Sequence, residues 1–311
     1  MAHTTWNYIP PLNSGLWKSV EEDDNGFDFL VSQTGIKDTT ALEKHVLKIQ
    51  QDAYKVFPYP CIRLFDFVKT RIARHPAYPA ILELQNKRPE AIVLDLGCCF
   101  GVDVRKFVAD GFAKENVLAC DLFPEFWKRG HELFRTTPET FPVAFLQGNL
   151  LDHAFLPFPA DAITPSEIPS LATLSSLGPL IGRTSIIHMA YLFHVFNEEQ
   201  HIDIAQRIAG LLSPIPGSII LGSQIGRQLN QGYGTYYLDD SEESRATGEI
   251  QSYCHTPESW KALWEGLFPT GSVRIDAALR PRSVCKPTEV LPSVIENGDE
   301  DGILMWSITR L

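Results

Sequence analysis

Residues 91–101, Ala-Ile-Val-Leu-Asp-Leu-Gly-Cys-Cys-Phe-Gly, constrain the fold more than any other stretch of this chain. The unbroken apolar run at its start reads as a strand buried on both faces, the kind found in parallel sheets. It runs into an acid and then a glycine-punctuated turn, which is how a nucleoside-binding strand–turn–helix unit begins. The glycines are Gly97 and Gly101, so the dinucleotide pattern G-x-G-x-x-G fails at Cys99 and at Val102. The second glycine of that pattern lets backbone touch a diphosphate, and a side chain at position 99 points to a nucleoside ligand that carries none.

From Ala91 onward, apolar runs alternate with helical patterns, as expected of a parallel sheet wrapped by helices. Strands are expected at 91–96, 116–121, 142–147, 184–191 and 218–222, and helices at 102–111, 124–134 and 198–212. A further helix starts at Thr256, Pro257 and Glu258, in the order of cap, first-turn proline and first-turn acid, and runs to about Phe268. Strands at 272–279 and 302–309 close the sheet, joined by a polar segment containing Asn297, Gly298, Asp299 and Glu300.

Residues 1–85 stand apart from this alternation. The first 36 are polar and aromatic with poor periodicity and read as an arm or lid. Residues 38–85 read as helical, with Leu42, Val46, Ile49 and Ala53 at helical spacing before the Tyr59-Pro60 break, and would cap the ligand cleft. The division expected is therefore 1–85 for arm and cap and 86–311 for the sheet domain.

The 38 acidic and 27 basic residues leave a net charge of −11 with no basic run, which argues against nucleic acid as a partner. The first residues lack a charged segment followed by an apolar one, and the longest apolar stretches are broken by His188 and His194, so neither an export signal nor a membrane span is expected. The six cysteines form no C-x-x-C pair and no zinc-ligand spacing. A reduced, cytoplasmic protein without a metal, acting as a monomer or homodimer, is the resulting expectation.

In an open parallel sheet the ligand lies beyond the carboxyl ends of the strands, where strand order reverses. The first strand delivers Asp95, Gly97 and Gly101 there, with Asp95 able to hold a network around a ligand's amino group, a turn-stabilising acid being the alternative. The second ends at Asp121, about 20 residues past the turn, where two carboxylate oxygens match two adjacent ribose hydroxyls, with Leu122 beside it. The third ends at Asn149 and Leu150, which suit an adenine amino group and ring edge.

Residues 91–152 resemble the S-adenosylmethionine site of class I methyltransferases. The stretches His194-Val195-Phe196-Asn197-Glu198-Glu199-Gln200, Leu211-Leu212-Ser213-Pro214, Cys254-His255-Thr256-Pro257-Glu258-Ser259-Trp260 and Tyr59-Pro60-Cys61-Ile62 are similar to those of fungal secondary-metabolite methyltransferases, a group that includes carboxyl O-methyltransferases of meroterpenoid pathways. The resemblance implies an α/β fold with a Rossmann-like, seven-stranded, mostly parallel sheet, an antiparallel C-terminal hairpin strand and an N-terminal helical cap. It also implies S-adenosyl-L-methionine as cofactor and O-methylation of a small apolar natural product, terpenoid or polyketide in character, at a carboxyl or hydroxyl group. The chain departs from the wider pattern at Cys99, where glycine is common, and at Asn149, where an acid is common.

Methyl transfer from a sulfonium is an in-line displacement in which alignment and exclusion of water supply most of the rate. A carboxylate acceptor needs no base, whereas a hydroxyl gains from one within hydrogen-bond reach. His188, near the end of the fourth strand, and His194, just past it, are the candidate catalytic groups, each with a buried, backbone-satisfied histidine as the alternative. Tyr191 lies between them. Residues 224–253 form a long connection with Tyr233, Tyr236 and Tyr237 among glycines 226, 232 and 234, an expected substrate lid or else a surface loop. Tyr54, with Tyr59 and Arg63, would close over the cofactor from the cap. Two rivals remain open: a cofactor-binding protein of the same fold with a cyclase or regulatory role, and a nicotinamide-dependent reductase, which the absence of a Tyr-x-x-x-Lys pair in the expected region disfavours.

Overall fold

Strand β1 (Val93–Leu96) pairs in parallel with β2 (Val117–Asp121) on one side and β4 (Ile186–Ala190) on the other, so the chain reverses direction across the sheet at β1. This is a computed structural model, and it describes residues 8–161, 169–236, 250–281 and 301–311, together with 167, 242 and 246. The full order is β3-β2-β1-β4-β5-β9-β8, with β3 at Ala144–Gln147, β5 at Ile219–Arg227, β8 at Val273–Pro281 and β9 at Asp301–Arg310. Strand β9 runs antiparallel between β5 and β8, and the other pairings from β3 to β5 are parallel. The expected sheet is present, with strand ends shifted by one or two residues at most positions. The main exception is β5, which continues to Arg227 because β9 pairs with it along its whole length.

Both faces of the sheet are covered, which is why its strands read as continuous apolar runs. On one face lie helices at Glu198–Leu211 and Pro257–Glu265, each opened by a reciprocal capping box, Asn197 with Gln200 and Thr256 with Ser259. Between them and the sheet, Phe193, Trp260, Trp264 and Trp306 pack edge to face or stacked, with Trp260 and Trp306 centroids 4.8 Å apart. The opposite face carries helices at Tyr78–Lys87 and Val102–Ala109 over Val93, Val117, Ala119 and Ile186.

The N-terminal segment is more helical than its sequence pattern indicates. Residues 14–34 form a 3-10 turn, a short helical turn and a helix at Asp24–Thr34, capped by the Asp23 side chain and ended by Gly35 in the left-handed conformation. Leu16, Trp17, Val20 and Leu30 are buried in one cluster with Leu42, Val46, Ile49 and Ala53 of the helix Thr39–Tyr54, and this cluster continues onto Phe100, Phe126 and Phe134 of the sheet domain. Only residues 8–13 of the described chain have the character of an arm.

The connection after β5 differs from a plain loop. Residues 232–236 (β6) and 250–254 (β7) form an antiparallel two-stranded sheet. Tyr237, most of the acidic run at 239–243 and the polar connection at 297–300 lie outside the described residues. No helix among the described residues is long and apolar enough to cross a membrane, and no group of His, Cys, Asp and Glu among them could hold a metal.

Candidate functional site

The carboxyl ends of β1, β2 and β3 meet at one edge. Gly97 and Gly101 both have positive φ, 73° and 70°, and Cys99 between them sits at 50°, a left-handed conformation that costs a non-glycine residue about 1–2 kcal/mol. A Cβ on Gly101 would come within 2.4 Å of the Trp127 ring. Gly101→Ala is therefore expected to destabilise the chain by about 2–3 kcal/mol through backbone strain and displacement of that indole, measurable by urea unfolding.

Asp121 ties this turn to β2. Its Oδ2 accepts the Cys99 N–H at 2.8 Å and its Oδ1 accepts the Phe123 N–H at 2.9 Å. Burial pushes its carboxyl up to about 6, against the opposing effect of the Phe123 and Cys99 hydrogen bonds. Each oxygen has two lone pairs, so this carboxylate is held in place by backbone and still has acceptor capacity for two hydroxyls. The neighbouring Leu122 is 36% exposed, an apolar surface at the same strand end. From β3, the Gly148 N–H reaches the Asp121 carbonyl at 3.0 Å, which brings Asn149 and the 8% exposed Leu150 alongside. Asn149 Oδ1 accepts the Leu151 N–H at 3.0 Å, so only its second lone pair can meet an amino donor.

The cap supplies aromatic walls. Phe57 and Tyr59 lie 4.3 Å apart and Phe57 meets Phe123, two residues past Asp121, at 5.6 Å. Burial, and then the nearby Asp121 charge, raises the Tyr59 phenol. Tyr54 is turned elsewhere: its hydroxyl donates to the Pro10 carbonyl at 2.8 Å, while the Arg63 guanidinium donates to Pro11 at 3.0 Å, so both fasten the N-terminal arm to the cap.

Two of the expected groups are placed differently. Asp95 is 3% exposed, with Oδ1 2.8 Å from His188 Nδ1, and His188 is 2% exposed beneath the Phe107 ring. The β1–β4 register sets Asp95 beside His188 and directs both side chains to the sheet face covered by the Val102–Ala109 helix. Both side chains are thus buried against each other beneath that helix rather than exposed at the strand ends.

His194 does lie at the edge. It is half-buried in a 3-10 turn, with its ring 5.9 Å from Tyr191 in an edge contact. Tyr191 follows β4 in a left-handed conformation, φ 54°, and the Arg71 guanidinium lies 4.6 Å over its ring. Arg71 also pairs with Asp66 at 2.9 Å. Arg71, Arg74, Tyr191, Ser223, Arg280 and Met305, with Pro76 and Ile303, line a cavity of about 380 Å³ beside the end of β4 and the middle of β5. The cationic side of this cavity has no signal in the sequence, because Arg280 joins Arg71 and Arg74 from a distant segment and the three form no run. Tyr233 is 53% exposed on β6, its ring against Tyr253, while nothing is described of the Tyr236 side chain.

A family model described as a meroterpenoid methyltransferase N-terminal domain matches residues 17–68. The chain is 32% identical over 233 residues to O-methyltransferase phiE of a fungal species, covering 75% of this chain and 67% of that protein. It is 30% identical over 230 residues to the asnovolin E/chermesin D methyltransferase nvfJ of Aspergillus novofumigatus, covering 74% and 71%. O-methyltransferase atr3 of Stereocaulon alpinum is 33% identical over 188 residues, and there the match spans 60% of this chain but only about half, 47%, of the relative.

Proposed function

The chain belongs to the family of fungal secondary-metabolite methyltransferases that includes phiE and nvfJ, and from that premise we propose that it methylates a small apolar natural product with S-adenosylmethionine as donor. The observation that carries this reading is Asp121, fixed at the end of β2 by the Cys99 and Phe123 N–H groups with acceptor capacity left for a ribose. The donor set suits that cofactor and no diphosphate, since Cys99 occupies the turn where a dinucleotide requires bare backbone. Asp121 would accept the ribose hydroxyls, Leu122 would cover one face of the adenine, and Asn149 with the Leu150 backbone would meet its edge. When bound, S-adenosylmethionine supplies a sulfonium methyl for in-line displacement.

The remaining residues exclude water and orient the acceptor. Phe57, Tyr59 and Phe123 form an apolar wall on the cap side. The 380 Å³ cavity combines apolar Pro76, Ile303 and Met305 with the guanidinium groups of Arg71, Arg74 and Arg280. That combination favours an apolar acceptor carrying a carboxylate, which guanidinium donors orient and which needs no base. For a hydroxyl acceptor, His194 beside Tyr191 is the group placed to take the proton. Residues 1–85 act in this reading as arm and cap to the sheet domain.

Calorimetric titration with S-adenosylhomocysteine and with a reduced nicotinamide dinucleotide tests the cofactor assignment. Binding of the first alone is expected, and binding of the second alone would reverse it. Arg71→Met is expected to lower kcat/KM for a carboxylate acceptor by about 10- to 100-fold while leaving S-adenosylhomocysteine affinity unchanged. An equal loss in both would move Arg71 out of the acceptor cavity.

A further inference from the structure

Asp95 stands two residues before Gly97 and Asp103 two residues after Gly101, so the glycine turn is bracketed by two buried carboxylates, 3% and 6% exposed. His188 lies between their segments. Its Nδ1 meets Asp95 Oδ1 at 2.8 Å, and its ring also feels the charge of Asp103. The Asp103 Oδ1 in turn accepts the N–H groups of Arg71 and Ile72, at 2.7 and 3.0 Å, and so fixes the segment that presents Arg71 to the acceptor cavity.

The groups facing His188 from its surroundings are few. Asp95 comes from β1, Asp103 from the first turn of the helix Val102–Ala109, and Phe107 of the same helix covers the ring at 6.1 Å. His75, on the connection from the cap, is the other titratable neighbour. It accepts the Ala77 N–H at Nδ1, 3.2 Å away, which leaves its proton on Nε2 to donate to the Trp306 carbonyl at 3.1 Å. That pattern needs a neutral ring, so His75 does not compete with His188 for the charge.

We infer that His188 is a positioning residue of the cofactor site: as an imidazolium hydrogen-bonded to Asp95 before the glycine turn and facing the helix that carries Asp103 after it, it keeps Gly97–Gly101 in the form that receives the nucleoside. Buried ion pairs of this kind add little net stability compared with apolar packing, so a conformational role is the better account of its presence. Without the proton, two like charges would face each other in a low-dielectric interior, one at each end of the turn. Burial disfavours the charged ring, but Asp95 and then Asp103 outweigh it and raise its pKa. The clamp is thus complete below the ordinary histidine value of about 6.5 and is lost as pH rises through the raised one.

The inference rests on the S-adenosylmethionine reading of the strand-end site, and the test separates the two. The probe is 5′-methylthioadenosine, which has no amine titrating in the alkaline range, followed by calorimetry from pH 7 to roughly 9.5 with wild type and His188→Gln. Wild-type affinity is expected to fall by about five- to tenfold across that range, and the variant to bind at least about fivefold more weakly at pH 7 with no further fall. If the variant does not fold, the wild-type profile alone decides. A flat wild-type profile, or a variant that matches wild type at every pH, overturns the role of His188 while leaving the cofactor assignment intact. Failure of wild type to bind either 5′-methylthioadenosine or S-adenosylhomocysteine at pH 7 overturns both.

Discussion

Asp121→Ala is expected to weaken S-adenosylhomocysteine binding by about 10- to 100-fold, or roughly 1.5–3 kcal/mol. The substitution removes the acceptors proposed for two ribose hydroxyls and also the partners of the Cys99 and Phe123 N–H groups, so the turn loses its tie to β2 at the same time. Asp121→Asn separates the two contributions, since an amide keeps one acceptor oxygen for the turn but offers an N–H where a hydroxyl must donate. Acidity gives a second signature. Hydroxyl donors favour the charged carboxylate, whose pKa burial has pushed up to about 6. Wild-type affinity should therefore decline as pH falls through that value, and the alanine variant should lack this limb. Calorimetry at pH 7.5 and pH 5 checks both statements. An affinity unchanged by the alanine substitution would remove Asp121 from the site.

Acid unfolding beginning below about pH 6.5 is the other large expected effect. Burial holds His75 and His201 down to about 4 and His255, stacked on His201 at 5.3 Å, down to about 3. Their folded values lie below the unfolded one of about 6.5, so the folded state resists protonation and loses stability as pH drops from there toward 4. Each ring costs the folded state about 1.4 kcal/mol per pH unit below 6.5 and reaches on the order of 3–5 kcal/mol only below its folded value, where two of them approach the whole stability of an ordinary domain. Asp121 works the other way: its raised pKa gains stability as pH falls through about 6, which offsets roughly one of the three histidines. Urea midpoints measured from pH 7.5 to 4.5 should fall continuously. His255→Gln or His255→Phe should flatten that fall, because the replacement has no proton to gain. A midpoint independent of pH would contradict the buried neutral assignment.

The sheet was legible because both of its faces are covered, which writes long apolar runs into β1, β2, β4 and β5, and because proline and capping residues mark where Pro124–Leu133 and Pro257–Glu265 begin. The β6–β7 hairpin was not, since Gly232, Gly234 and Thr235 give no alternation of apolar and polar residues. Short helices near the N-terminus escaped because Leu16, Trp17, Val20 and Leu30 span changes between 3-10 and α geometry, and no single period fits them. Strand ends offer Asp121, Leu122 and Asn149 as candidates, but register decides which way a strand residue faces. Asp95 and His188 turned inward for that reason, and the arginine-lined cavity was invisible because it is assembled entirely by tertiary packing.

Methyl transfer at the strand-end site is measured most directly with S-adenosylmethionine labelled in the methyl group and a mixture of apolar carboxylic acids and phenols of fungal origin. Label should pass to an organic-soluble product, fall by about 10- to 100-fold with Asp121→Ala at sub-saturating donor, and be released as methanol by mild alkali, as expected of a methyl ester. Stoichiometric binding of S-adenosylhomocysteine with no label transferred to any acceptor would contradict the account and favour a cofactor-binding protein of the same fold that does other work.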